Sequence, residues 1–240
     1  YLSVNGCPDV FTCLSYGCGT PIGALEMNLL FSAICGFILG FVLKKTINWL
    51  SIDGYRIKPK NIIIELICSL IWIWAFLSLP MNEAISFAFI STLLVGIGIV
   101  DYYTFQIPLI FIIAGLLGVI VNIILNLGHI STALWGIFIG AVIPFIIMLL
   151  LWTVTKRQGM GYGDIQLGIV LGAWLGPMRM AITLFSASLL SLFTWLAVSW
   201  VKDFDKDRAL PMAPFLALSG ISVYVGSIYY PGFFHLLIIY

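Results

Sequence analysis

The sequence predicts an all-α, polytopic integral membrane protein with about eight transmembrane helices, and three observations predict it. The chain is 62% hydrophobic and only 9% charged, with a mean hydropathy of +1.13, whereas soluble domains average roughly a quarter charged residues. Its apolar residues fall into runs of about 20, the length that crosses a bilayer core as a helix. Short polar breaks separate the runs, and Lys and Arg crowd alternate breaks. In 240 residues, about eight such spans leave little for a separate soluble domain. The net charge of +1 says nothing about nucleic acid, and no basic patch with interleaved aromatics points to it, so no nucleic-acid partner is expected.

Residues 1–25 mix Gly, Pro, Cys and polar side chains and are expected to form a short extracytoplasmic segment of unknown role, followed by a single membrane-embedded domain over residues 26–240. No basic stretch precedes an apolar run at the N-terminus, so no signal peptide is expected. Cys7, Cys13 and Cys18 lie in that segment, where two of them pair if it faces an oxidising compartment. Cys35 and Cys68 fall inside apolar runs as small hydrophobes. With no C-x-x-C pair among the five, no structural metal is expected.

The first span is read over about 27–43 and the second over about 61–79. Lys44, Lys45, Arg56, Lys58 and Lys60 lie between them, so by the positive-inside rule that connection is cytoplasmic and the N-terminus is outside. Pro80-Met81-Asn82-Glu83 makes an external turn. The third span, about 84–100, returns and delivers Asp101 at its inner end. A fourth begins near Leu109, since Pro108 suits the first turn of a helix, and ends near 127. A fifth, about 132–154, meets Lys156-Arg157. A short sixth, about 165–176, is too short to cross without thinning the bilayer or starting below its surface. Pro177-Met178-Arg179 is read as its outer loop, a seventh span covers about 181–201, and an eighth starts after Pro211. Of the 11 Lys and Arg, all but Arg179 then fall on cytoplasmic connections. Asp101 and Asp164, neither of which was used to orient the spans, come out on that same face.

An ionised carboxylate at a membrane boundary is costly unless water or partners support it, so such acids mark candidate sites. Asp164 closes Gly159-Met160-Gly161-Tyr162-Gly163-Asp164, where Gly159, Gly161 and Gly163 remove side chains and let another backbone, such as a peptide substrate, approach. If the two carboxylates converge they share one proton, because neighbouring like charges do not both ionise cheaply. One acid then activates a water while the other polarises a carbonyl. The alternatives are structural: Asp101 simply ends a hydrophobic span, and Asp164 is a helix N-cap. Glu65 is a third candidate for shaping the site, or pairs with Lys58 or Lys60. Asp203, Asp205 and Asp207 alternate with Lys202, Lys206 and Arg208 as a solvated face, and His129 and His235 are isolated.

Gly161-Tyr162-Gly163-Asp164 is a G-x-G-D motif, and with Asp101 followed by Ile107-Pro108 it resembles the type IV prepilin peptidases, G-x-G-D membrane aspartic proteases. Leu171 to Gly176, Pro211-Met212-Ala213-Pro214-Phe215-Leu216 and Asn61-Ile62-Ile63-Ile64-Glu65-Leu66 resemble further family segments in family order, over most of residues 30–230. The resemblance implies that Asp101 and Asp164 are the catalytic pair and that both face the cytoplasm of a bacterial inner membrane. It also implies that the partners are prepilin or pseudopilin precursors and the lipid bilayer, with cleavage of a basic leader after a glycine.

Two departures accompany it. Many bacterial members insert a cytoplasmic domain bearing two C-x-x-C pairs between the first two spans and N-methylate the new terminus. Lys45 to Asn61 leaves no room for such a domain, so the peptidase is expected without the methyltransferase and without a cofactor. S-adenosylmethionine enters only if that second activity is present. Ile165-Gln166 also replaces a pair in which the family often has a lysine. The competing readings are a preflagellin-like peptidase, a presenilin-like protease, in which a tyrosine rather than Val100 precedes the first acid, and a proton- or cation-coupled transporter using the boundary aspartates.

Overall fold

A computed structural model describes residues 22–58, 60–125, 130–155, 161–201 and 210–238 of the chain. Among these every regular element is helical. Residues 1–21, with Cys7, Cys13 and Cys18, lie outside the described residues, as do Gly159, Lys156-Arg157, His129 and the charged run 202–208. Four helices are long and apolar enough to cross a membrane, over Leu29–Leu50, Met81–Thr104, Ile130–Val154 and Pro177–Trp200. Shorter apolar helices cover Ile63–Ser78, Leu109–Ile124 and Ala213–Tyr229. With a buried helix over Tyr162–Leu175, these account for the eight apolar runs of the sequence. The chain is an all-helical, multi-pass membrane protein.

The chain forms two compact units, one running through Ser51 and resuming over Arg56–Thr92, the other made of Ile52–Tyr55 and the chain from Leu93 onward. In the first, α1 (Ile22–Leu50) packs along α2 (Ile63–Ser78). Without specific hydrophobic attraction between helices in lipid, close backbone approach over small residues drives such packing. Gly36 and Gly40 supply it: a Cβ on either would stand 2.7 Å from the Cα of Ser69 or of Glu65. The stripe continues at the same spacing with Lys44, which reaches Glu65, and Asn48, whose amide accepts from Ile57 N–H at 2.6 Å and donates to Ile57 C=O at 3.1 Å. The first half of α3 (Met81–Thr104) completes the unit, with Trp72 Nε1 donating to Thr92 Oγ1 at 3.1 Å.

The second unit is organised around α7 (Tyr162–Leu175), whose residues from Leu167 onward are buried except Ile169. Its partners are α4 (Leu109–Leu125), α5 (Ile130–Ile137), the π-helical turn Phe138–Val142 that runs into α6 (Ile143–Thr155), and α9 (Ala213–Tyr229). Gly168 and Gly172 of α7 meet the backbone of Gly140 and Gly136, so neither side has room for a Cβ. Val170 fills the space above Gly115, and Trp174 stacks on Tyr224 with ring centroids 5.0 Å apart. The π turn sits at that glycine crossing and is followed by Pro144, which has no N–H to return to the Gly140 carbonyl; lost ladder bonds of this kind produce such turns.

At 14 residues, α7 rises about 21 Å at ~1.5 Å per residue, short of the ~30 Å hydrocarbon core. From Leu167 onward it is enclosed by protein instead of facing lipid. Its end differs from the sequence reading. Gly176, at φ 76°, turns the chain directly into α8 (Pro177–Val201), so Pro177-Met178-Arg179 is the first turn of a helix and not a loop. Proline fits there because first-turn N–H groups have no intrahelical acceptor. The last apolar run also breaks at Tyr230, with α10 (Pro231–Ile238) beyond it.

Candidate active site

Asp101 lies in the last turn of α3 and is 5% exposed. One helical turn earlier, Gly98 admits the start of α9: a Cβ on Gly98 would lie 3.3 Å from Pro214 Cα. That approach brings the first residue of α9 to the acid, and Ala213 N–H donates to Asp101 Oδ2 at 3.1 Å. First-turn N–H groups carry the positive end of the helix dipole, so an anion is supported there. Asp101 is therefore more than the polar end of a hydrophobic span.

After Thr104 the chain leaves the helix through Phe105, at φ 54°, whose N–H closes on Asp101 C=O at 2.9 Å. Gln106, Ile107 and Pro108 then lead to α4, which starts at Leu109 with Phe111 N–H donating to Pro108 C=O at 3.1 Å. In this turn Ile107 reaches the start of α7, where its side chain covers Gly163.

Asp164 occupies the third position of α7, and Gly161, not Asp164, is the N-cap. Asp164 N–H donates to Gly161 C=O at 3.2 Å, and Gly161 N–H donates back to Asp164 Oδ2 at 3.3 Å. The second bond is the acidic half of a capping box, which satisfies an N–H that the helix leaves open. The carboxylate of Asp164 is half-buried and within electrostatic reach of that of Asp101. Two acids from separate helices thus lie within electrostatic reach of each other.

Of the glycines read from sequence as room for a substrate, the two that are described, Gly161 and Gly163, have near neighbours from within the chain. A Cβ on Gly163 would meet Ile107 Cβ at 3.1 Å, and one on Gly161 would meet Asp164 Oδ2 at 3.2 Å. Glu65 lies in the first unit, where its Oε1 pairs with Lys44 Nζ at 2.7 Å, not with Lys58 or Lys60; both partners are buried. Lys44 Nζ also donates to Asn61 C=O at 2.8 Å.

Several neighbours of the acids carried no expectation from sequence. Asp53 accepts from Gln106 Nε2 at 2.9 Å, and Tyr55 stacks on Tyr103 with centroids 4.6 Å apart. Burial, and then the proximity of Tyr103, raise the phenol of Tyr55 above its ordinary pKa. This short piece of the α1–α2 connection thereby lies against the turn after Asp101. Ala213 and Gly98 were likewise missed, although Pro211 and Pro214 bracketing an apolar run signalled a helix start there. Among the described residues no group of three or more His, Cys, Asp or Glu is placed to hold a metal ion.

Residues 87–196, which include both acids, match the model of the Type IV leader peptidase family. A protein of Pseudomonas putida named prepilin leader peptidase/N-methyltransferase is 29% identical over 167 residues, covering 69% of this chain and 58% of that relative. Proteins of the same name from Stutzerimonas stutzeri and Dichelobacter nodosus are 30% and 33% identical over 104 and 106 residues, or 43% and 44% of this chain. Those alignments span 36% and 35% of the relatives' own lengths. No solved structure matches the chain. The G-x-G-D acid at Asp164 and the second acid at Asp101 both lie within this matched segment, over which the chain is similar to the Type IV leader peptidase family.

Proposed function

We propose that the chain is a membrane aspartic endopeptidase that removes the leader of type IV prepilins or pseudopilins, cutting after a glycine at the cytoplasmic face of a bacterial inner membrane. The observation that supports this reading is that Asp101 and Asp164, on two helices of one compact unit, lie within electrostatic reach of each other. The pair holds one proton between its two carboxyls. The ionised acid takes a proton from a water, whose oxygen adds to the scissile carbonyl carbon, while the protonated acid gives its proton to the carbonyl oxygen. Collapse of the resulting diol breaks the C–N bond: one diol hydroxyl returns its proton to the acid that had given one, and the proton taken from water passes to the leaving amine. Both carboxyls then return to the shared-proton state.

The cytoplasmic placement is supported by Asp53 and Tyr55. They come from the connection that also holds Arg56, Lys58 and Lys60, and they bond to the turn after Asp101. Connections this rich in Lys and Arg stay on the cytoplasmic side. A prepilin whose leader remains in the cytoplasm brings its cleavage point to that depth. The relatives' second printed activity, N-methyl transfer, is not carried over, and the cleavage needs no cofactor. The α1–α2 connection covers only residues 51–62, too little for the cysteine-bearing domain that accompanies that activity in many family members.

The test is leader cleavage of a purified prepilin by the protein in liposomes, with Asp101→Asn and Asp164→Asn beside the wild type. Each variant is expected to insert and fold but to lose roughly 10²–10⁴-fold in rate. Near-normal cleavage by either variant would remove that acid from the pair, and a wild type that cuts no prepilin would remove the substrate.

A further inference from the structure

The glycine immediately before Asp164 has a neighbour that fills its missing side chain. Ile107 stands over Gly163 with its Cβ and Cδ1 3.1 Å, and its Cγ1 3.2 Å, from where a Cβ would be. At that range the neighbour has to give by a few tenths of an ångström, and because one of the three atoms is the first carbon of a branched side chain, the segment carrying Ile107 has to shift with it. That segment is anchored at both ends. Phe105 N–H holds it to Asp101 C=O at 2.9 Å, and Phe111 N–H holds Pro108 C=O at 3.1 Å. Gln106 Nε2, between them, is bonded to Asp53. On the other side of the contact, Gly163 adjoins Asp164, whose carboxylate bonds back to Gly161 N–H. Ile107 therefore joins two short rigid pieces, each carrying one acid.

The geometry points to Ile107 as a positioning residue for the reaction: packed against Gly163, it sets the separation of Asp101 and Asp164. This rests on the two-aspartate reading above and assigns the contact that tunes it. The glycine at 163 is required because Ile107 occupies the space, not because a substrate does. A pair that shares one proton and one water depends on separation, and displacements of about 1 Å in such constellations cost on the order of 10²-fold in rate.

The test is a double-mutant cycle on the full chain in detergent or liposomes: wild type, Gly163→Ala, Ile107→Ala and both together. Each is measured for leader cleavage and for thermal unfolding. Gly163→Ala is expected to lower kcat several-fold with KM unchanged, since a shift of a few tenths of an ångström is a fraction of the displacement of about 1 Å that costs on the order of 10²-fold, and nothing facing the substrate is altered. It should also lower Tm, although alanine is the better helix former. Ile107→Ala removes two of the three crowding atoms, so the double variant should regain at least half of the lost Tm and recover kcat to about that of Ile107→Ala alone.

Additive Tm losses would overturn the contact. A double variant no more active than Gly163→Ala, or a Gly163→Ala defect confined to KM, would overturn the positioning role. If the wild type cuts no prepilin, the substrate reading fails on its own, and the Tm cycle still decides whether Ile107 and Gly163 are coupled.

Discussion

Asp101 accepts a hydrogen bond at 3.1 Å from the backbone N–H of Ala213, a residue 112 positions further along the chain. The first turn of α9 thus serves the end of α3, and α3 ends on an acid that another helix helps to hold. Because the donor is backbone, no substitution at position 213 that keeps an N–H removes it. The dependence can be read from the acceptor instead.

Asp101→Asn keeps an oxygen able to accept from Ala213 N–H, so its Tm should stay close to that of the wild type while cleavage is lost. Asp101→Ala leaves that N–H buried without an acceptor, which costs about 1–3 kcal/mol. Unfolding of the two variants, followed by circular dichroism in the same detergent, checks this. Equal Tm values for Asn and Ala would show that the bond contributes nothing to the fold.

The rate should depend on pH as a bell. With both carboxyls protonated no base is left for the water, and with both ionised no proton is left for the carbonyl, so kcat/KM falls on either side of the one-proton state. The two apparent constants belong to the pair and not to either acid. A profile that rises to a plateau, with no alkaline limb up to the pH at which the protein unfolds, would show that only one acid titrates in the reaction.

Much of this fold is legible in composition alone, because a bilayer admits few solutions. Apolar runs of about 20 residues must be helices, and lysines and arginines set their direction. Asp101 and Asp164 stand out for the same reason: an acid at the end of such a run is expensive. The meaning of Gly163 was not legible. A glycine advertises missing volume, but sequence does not say whether a substrate or Ile107 takes it. Glu65 shows the same limit, since Lys58 and Lys60 are close in sequence, yet Lys44 lies on the stripe that Gly36 and Gly40 bring against α2. Gly176 is the opposite error, a residue that reverses the chain where a longer loop was expected.

The glycine crossing at the centre of the second unit should be intolerant of a single methyl group. A Cβ on Gly172 meets the carbonyl of Gly136 and a Cβ on Gly168 meets that of Gly140, so the backbones themselves must part. Gly172→Ala should destabilise by about 1–3 kcal/mol or more. Gly226 is the control, since a Cβ there meets nothing within 4 Å. Gly226→Ala should be neutral or stabilising by up to about 1 kcal/mol, the helix preference for alanine. Folded yield and Tm of the two variants decide it, and equal effects would mean that the crossing is looser than described.

In the first unit the buried Lys44 and Glu65 should behave as one element. Glu65 is 2% exposed and Lys44 6%, with 2.7 Å between Nζ and Oε1. Two desolvated charges this close offset each other's burial, and removing one strands the other at a cost of about 3–5 kcal/mol. Lys44→Met and Glu65→Met should each lower Tm sharply. The double variant should be less impaired than the sum of the two, because neither charge is then left alone in an apolar setting. Its remaining loss should be small, since the Asn61 carbonyl that accepts from Lys44 at 2.8 Å lies at the start of a helix and can turn to water. Thermal unfolding of the four proteins gives the coupling directly. Strict additivity would show that the pair is solvated and adds no coupling between α1 and α2.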